Sequence, residues 1–302
     1  MMWQTSRFSI DLSRPQVMGI VNVTPDSFSD GGAHANTSQA LAHCEQVLAQ
    51  GAQLLDIGGE STRPGATPVP LEEELKRVLP VVCEAVKLGV PISVDTYKPQ
   101  VMRAALDLGA DIINDIWALR WIDPKGGLTS QSVVSQHTSC GVCLMHMHRE
   151  PQTMQVSPMT GDVVAQVLSF LRQSAYELQG LGVDKSRIVL DPGIGFGKTT
   201  AQNFSLLTRQ RELLAAGYPL LAGWSRKSSL AAMAAGISTS SSADGAPERL
   251  IPSVAAALLA VERGARIVRV HDVRGTVQAL AVWQAAMNTL KSDDPTQAGD
   301  TT

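Results

Sequence analysis

The segment Arg269-Val270-His271 puts two donor side chains on one face of an extended stretch. They would stand about 7 Å apart, and two donors side by side late in the chain, where the loops after a barrel's last strands often bind phosphate, suggest a diphosphate site. Upstream, Gly223-Trp224-Ser225-Arg226-Lys227-Ser228 adds cations and hydroxyls. A surface ion pair is the competing use for Arg269. Asp95 in Ser93-Val94-Asp95-Thr96 and Asn114 in Ile113-Asn114-Asp115 supply the opposite chemistry. Charged groups are rarely buried unpaired, so these acceptors ask for donors. A heterocycle with a row of N–H groups, such as an amino-pyrimidinone, would satisfy them; Lys227 or Arg103 would be the structural alternative.

Two polar loops add oxygen ligands and mobility. Asn22-Val23-Thr24-Pro25-Asp26-Ser27-Phe28-Ser29-Asp30-Gly31-Gly32 reads as a lid with Gly31-Gly32 as hinge and hard oxygen ligands at its base. Magnesium favours such ligands and retains waters and substrate phosphate oxygens. Gly58-Gly59-Glu60-Ser61-Thr62-Arg63-Pro64-Gly65 offers hydroxyls and a guanidinium to an anion, though a tight turn alone would use the same Gly and Pro.

Two further motifs are weaker. Asp191-Pro192-Gly193-Ile194-Gly195-Phe196-Gly197-Lys198-Thr199 ends like a phosphate-cradling loop, but that motif needs glycine where Pro192 stands. Nucleotide hydrolysis is therefore rejected, leaving a carboxylate followed by a flexible loop. Cys140-Gly141-Val142-Cys143 with His146 and His148 has the look of a zinc site. Strand alternation would set Cys143 and His146 on opposite faces, so Cys143 is expected in the core.

These groups need a scaffold that brings them together. A local pattern recurs: Gly-Ala, one polar residue, two aliphatics, one polar residue, beginning at Gly51, Gly109 and Gly264. Glycine tolerates the backbone that ends a helix, and a buried strand follows. Repeated units of this kind imply a parallel sheet with crossover helices. Further short strands are expected at Val17–Val21, Ile92–Val94, Val142–Met145, Arg187–Leu190 and Leu220–Ala222, eight in all.

Helical stripes run through Leu71, Leu75, Val78, Val82 and Val86, where Pro80 should kink the helix or begin its second half. Others run through Val163, Val167, Leu171, Ala175 and Leu178, and through Leu250, Val254, Ala257, Leu258 and Val261. Asn22, Asp56, Asp95, Asn114, His146, Asp191, Ser225 and His271 each fall at or just past a strand's C-terminal end. Only a closed barrel would gather all of these at one mouth, so a (β/α)8 TIM barrel of the α/β class is expected. Residues 1–15 should form a short N-terminal hairpin, because Phe8, Ile10 and Leu12 alternate. Residues 16–290 should form the barrel and 291–302 a frayed polar tail.

Bulk properties narrow the functions. A formal net charge of -3 argues against a nucleic-acid partner, which needs excess Lys and Arg. Met1 to Pro15 has no long apolar stretch, so neither a signal peptide nor a membrane span is expected there. Four cysteines in 302 residues make no disulfide framework and point to a reducing, cytoplasmic setting.

Taken in order, Met18 to Gly32, Gly59 to Gly65, Asp191 to Lys198, Ser225-Arg226-Lys227-Ser228 and Arg269-Val270-His271 resemble the dihydropteroate synthase family across roughly residues 8 to 290. The resemblance implies a transferase of folate biosynthesis joining a pterin diphosphate to p-aminobenzoate with release of diphosphate. It implies that Asn22 touches a Mg2+ accompanying the diphosphate. Asp95, Asn114, Asp191 and Lys227 would hold the pterin, and Thr62, Arg269 and His271 the diphosphate. Phe28, Thr62, Arg63, Pro64, Phe196 and Ser228 would surround p-aminobenzoate, where sulfonamides bind in this family. Asp95, Arg269, His271 and Lys227 would carry catalysis, in a homodimer. Arg120 to Gly127 and the Ser-rich stretch after residue 237 are less typical. A pterin-binding corrinoid methyltransferase and a non-catalytic pterin-binding paralogue are the alternatives; the first has no use for the Arg269/His271 pair or the Ser61-Thr62-Arg63-Pro64 loop, and against the second every motif position holds a chemically competent residue.

Overall fold

A computed structural model of the chain describes residues 1–24, 33–63, 65–235 and 249–292. Two short strands, β1 (Met2–Gln4) and β2 (Ser9–Asp11), pair antiparallel with Trp3 opposite Ile10. Eight parallel strands follow: β3 (Gln16–Asn22), β4 (Leu54–Gly58), β5 (Ile92–Asp95), β6 (Ile112–Asp115), β7 (Gly141–Met145), β8 (Ile188–Asp191), β9 (Leu220–Ala222) and β10 (Ala265–Val270). They close in the order β10-β3-β4-β5-β6-β7-β8-β9. The expected TIM barrel and its hairpin are both present, with strand limits within a residue or two of the sequence reading.

Helices alternate with the strands: α1 (Ala33–Ala49), α2 (Leu71–Ala85), α3 (Pro99–Asp107), α4 (Ser130–Gln136), α5 (Val163–Gly180), α6 (Thr200–Thr208), α7 (Gln210–Leu213), α8 (Ser228–Ala235), α9 (Leu250–Glu262) and α10 (Val273–Ser292). Gly51, Gly109 and Gly264 of the repeated pattern have φ of 102°, 97° and 98°, a backbone that residues with a Cβ resist. Asp162 caps α5 by accepting from the Val164 and Ala165 amides. Pro99 occupies the first turn of α3, where its missing N–H is harmless.

The barrel is held by one inner and two outer apolar layers. Inside, Met18, Leu54, Ile112, Cys143, Val189, Leu221 and Ile267 meet, and Trp3, Ile10 and Leu12 of the hairpin complete the same cluster. The hairpin therefore plugs the end of the barrel opposite the C-terminal ends of its strands, with Trp3 Nε1 donating to the Arg187 carbonyl at 2.9 Å. Outside, strand residues such as Val21, Ile57 and Val94 pack on helical residues that include Val47, Val78 and Val101. Val142, Leu144, Leu190 and the α5 stripe form the other outer layer. Every member of that α5 stripe is buried, as its spacing requires.

Three helices add detail to the sequence reading. The helix α2 runs through Pro80 as one element, and its buried face includes Glu74 as well as Val78, Val81, Val82 and Ala85. On α9, Ala257 and Val261 of the expected stripe are buried together with Ser253, Ala256 and Ala260, and Val254 and Leu258 are half-buried. Leu250 of the stripe is 44% exposed, and Ile251 and Leu259, outside it, are 69% and 38% exposed. Small residues take the closest approach to the barrel. The last helix extends to Ser292; the expected tail beyond it and the Ser-rich loop lie outside the described residues.

Candidate active site

Side chains two residues apart on a strand share a face. Each inner apolar residue therefore predicts what lies one step nearer the mouth. Beyond Leu54 comes Asp56, beyond Ile112 Asn114, beyond Val189 Asp191, and beyond Ile267 Arg269 and then His271. Register aligns Asn22 with Gly58, Gly58 with Asp95, and Asp95 with Asn114 around the ring. The polar ring thus stands on the apolar plug.

Arg269 is the hub of that ring. Its Nε donates to Asp56 Oδ2 at 2.5 Å and its Nη2 to Asp95 Oδ2 at 2.6 Å. Asp56 also accepts from Ser93 Oγ at 2.6 Å and Asn114 Nδ2 at 3.2 Å. Asp95 Oδ1 is buried and has no partner among the described residues. Burial, with the Asp56, Asp115 and Glu74 carboxylates adding, lifts the Asp95 acid to about 7 against the pull of Arg269. Asp191, whose Oδ1 accepts from the Gly193 amide at 2.7 Å, is likewise raised by burial, partly offset by that amide and by Lys227.

On the opposite side, burial brings the Lys227 ammonium down to about 8, with Asp191 opposing the drop. Its Nζ sits 4.5 Å from the centre of the Phe196 ring, a cation–π contact. Phe196 is itself packed with Met145, Met147, Met154 and Ile116. Ser225 Oγ accepts from the His271 backbone N–H at 3.1 Å and lies 3.0 Å from Nδ1 of the same residue. A hydroxyl accepting from that amide has its proton available for Nδ1, which suits the tautomer bearing hydrogen on Nε2. Burial first, then Arg269, pushes the imidazole down to about 3, so it stands neutral as a donor. The Arg63 charge contributes to the same shift, so the loop after β4 reaches toward the end of β10.

Such a mouth pairs acceptors for N–H groups with donors for an anion. The sequence pattern of the pterin binding enzyme family matches residues 18–271. The dihydropteroate synthase of Neisseria meningitidis serogroup B is 48% identical over 288 residues, covering 94% of this chain and 96% of that protein. The chain belongs to the dihydropteroate synthase family of pterin-binding enzymes. Burkholderia cenocepacia dihydropteroate synthase complexed with 7,8-dihydropteroate is 48% identical with a TM-score of 0.82, covering 96% of this chain and 98% of that one. Xanthomonas albilineans dihydropteroate synthase with 4-aminobenzoic acid is 47% identical with a TM-score of 0.82, covering 95% and 99%.

For a member of the dihydropteroate synthase family, the residues singled out by motif divide into three groups. Asp95, Asn114, Asp191, Lys227, Arg269 and His271 share one mouth, linked by the contacts and charges above. Asn22 ends β3 half-buried on the same rim, Thr62 is half-buried, and Arg63 and Ser228 are exposed, Ser228 beginning α8. Phe28 and Pro64 lie outside the described residues.

Some expectations are corrected. His146 does not join the mouth: one step past Met145 it faces outward, and its ring meets Phe170 of α5 edge-on at 4.9 Å. Cys143 lies inside the barrel and Cys140 in the outer layer, so strand alternation parts them, and Asp95 pairs with Arg269 rather than with Lys227 or Arg103. Nor does the loop after β8 hang free. Lys198 Nζ donates to the Gly193 carbonyl at 2.8 Å, the Phe196 carbonyl at 3.1 Å and the His146 carbonyl at 3.3 Å. At Gly193, φ is +66° and a Cβ would fall 1.9 Å from the His146 carbonyl oxygen, so only glycine fits.

Motif reading missed one buried cluster. Lys98 Nζ bonds both Glu60 Oε2 and Glu74 Oε2; Thr96 Oγ1 donates to Glu74 at 2.7 Å and Tyr97 OH to Glu60 at 3.0 Å. It fastens the start of the Ser61-Thr62-Arg63 loop to α2 and the end of β5. Nothing in local sequence pairs residues 24 and 38 positions apart.

Proposed function

We propose that the chain condenses (7,8-dihydropterin-6-yl)methyl diphosphate with p-aminobenzoate, giving 7,8-dihydropteroate and diphosphate in folate biosynthesis. The observation that carries this reading is the Asp95–Arg269 pair in the barrel mouth: a half-satisfied buried acid beside a cation adjacent to the His271 donor. A reduced pterin presents N–H groups to Asp95, Asn114 and Asp191, with Lys227 donating to the ring. The diphosphate takes Arg269, His271 and Thr62.

Ring nitrogens push electrons toward the exocyclic methylene, so the C–O bond breaks with its electron pair leaving on diphosphate. Fixed donors at the departing oxygens are worth more here than a strong base. Asp95 stabilises the positive charge left on the pterin. The neutral aniline nitrogen then forms the C–N bond and sheds a proton. Phe28, Thr62, Arg63, Pro64, Phe196 and Ser228 enclose it, and the loops after β3 and β4 exclude water that would capture the cation.

A Mg2+ ion fits Asn22. Its side-chain carbonyl is a hard oxygen donor on the rim, and magnesium commonly takes one or two protein ligands with waters and phosphate completing its shell. Among the described residues no group of three His, Cys, Asp or Glu side chains is placed to hold a metal alone, so such an ion would arrive with the diphosphate. When bound, it would neutralise charge on the leaving group.

We further place two copies together through α9, because Ile251, Leu250 and Leu259 leave an apolar face uncovered. Free Cys44, Cys83, Cys140 and Cys143 suit a reducing cytoplasm; no helix among the described residues is long and apolar enough to cross a membrane. The test is to mix protein, pterin diphosphate, p-aminobenzoate and Mg2+, and to measure dihydropteroate and diphosphate. No product, or methyl transfer to a corrinoid instead, overturns the reading. Sedimentation of Ile251→Glu against the parent tests the dimer.

A further inference from the structure

Asp56 is fully buried, and both of its carboxylate oxygens are engaged by the protein. Oδ1 accepts from Ser93 Oγ at 2.6 Å; Oδ2 accepts from Arg269 Nε at 2.5 Å and Asn114 Nδ2 at 3.2 Å. Its neighbour on the same guanidinium, Asp95, has an oxygen left over. The two acids therefore stand differently toward a ligand: Asp95 has an oxygen with no partner among the described residues, whereas both oxygens of the fully buried Asp56 already accept from the protein.

We propose that Asp56 is a positioning residue for the proposed reaction, acting through Arg269 and Asn114 rather than touching substrate. An ionised carboxylate only accepts, so it turns the Asn114 amide with Nδ2 toward itself. The amide oxygen is then the end left for a pterin N–H. The same oxygen of Asp56 fixes Arg269 at Nε, while Asp95 takes Nη2; two anchors on one planar fork set its direction. Without the Asp56 charge, Asn114 can flip and present a donor where the pterin also presents one. Arg269 would then keep a single anchor and a wider range of angles.

The proposal rests on the pterin diphosphate reading, and the test separates the two. Turnover and substrate KM are measured for the parent, Asp56→Asn, Arg269→Ala, Asn114→Ala and the two double variants carrying Asp56→Asn. The expected result is a loss of about 100-fold in kcat/KM for the pterin substrate in Asp56→Asn, because hydrogen bonds to a charged group are the stronger ones and two of them converge on Oδ2. The KM for p-aminobenzoate should move less than threefold. In the Arg269→Ala and Asn114→Ala backgrounds, the added effect of Asp56→Asn should shrink at least fivefold in one or both, because residues acting through one another are not additive. Full multiplicative loss in both backgrounds, or parent-like kcat/KM in Asp56→Asn, overturns the proposal. An inactive parent would instead overturn the reading beneath it. Should Asp56→Asn fail to fold, Ser93→Ala decides: it frees Oδ1 alone, and a threefold to tenfold loss confined to the pterin substrate is expected, parent-like values being fatal.

Discussion

The Arg269 guanidinium donates to Asp95 Oδ2 at 2.6 Å while Asp95 Oδ1 stays buried with no partner among the described residues. A buried acceptor left unpaired is destabilising to the free protein and useful to a ligand. The consequences can be measured.

Asp95→Asn should separate stability from activity. The acid is lifted from 3.8 to about 7, so between those values the folded chain holds a proton that the unfolded chain has lost. Stability from this group is present below about pH 4 and declines as pH rises to about 7. Turnover should rise over the upper part of that window as the acceptor ionises. In Asp95→Asn the acid limb of kcat/KM should vanish and turnover fall about 100-fold or more, while stability at pH 8 increases by ~1 kcal/mol in urea. An unchanged acid limb would falsify the assignment.

Arg269→Ala should lower kcat by about 100-fold to 1000-fold, the scale of removing one donor aimed at developing charge. Calorimetric binding of dihydropteroate, which has no diphosphate, should weaken much less. Because Arg269 holds the Asp95 acid down, its removal should also carry the acid limb to higher pH. Near-normal kcat removes Arg269 from the diphosphate site.

Pterin affinity should decline as pH rises through about 8, where the buried Lys227 ammonium gives up its proton. Folding moves the other way. Between about 8 and 10.5 the unfolded chain holds a proton on this lysine that the folded chain does not, so stability rises across that window. Lys227→Ala should weaken pterin diphosphate binding about tenfold to 100-fold. Fluorescence titration would show it, and flat affinity in both experiments would sink the role.

Lys98→Met leaves Glu60 and Glu74 facing each other without a cation. Breaking a buried pair by deleting one partner costs about 3–5 kcal/mol, to be read from urea unfolding. Lys98→Arg should recover part of it. A loss below about 1 kcal/mol would mean water already screens the cluster.

The strands and most helices were legible because burial leaves a period in the chain. In α5 the stripe from Val163 to Leu178 is the buried face, whereas in α9, apolar nearly all round, the stripe caught Ala257 and Val261 but missed Ser253, Ala256 and Ala260 and took in the exposed Leu250. Strand ends exposed Asp95, Asn114, Asp191 and His271 as candidates by position alone. That same criterion admitted His146, since a polar residue just past a strand can sit on either face. Phe28 and Pro64 were visible only as motif residues, and they lie outside the described residues.

Sequence by itself settled the alternation of strand and helix, the polar residue at each strand's C-terminal end, and the set of side chains able to meet a ring and an anion. These follow from periods of two and 3.6 residues, which are local properties. Tertiary structure alone decided who bonds to whom: that Arg269 reaches Asp56 across 213 positions, that both oxygens of Asp56 accept while one of Asp95 has no partner among the described residues, and that Lys98 sits between two acids. Closing the barrel brings distant residues within 3 Å, and no local pattern encodes which of several chemically suitable partners will arrive there.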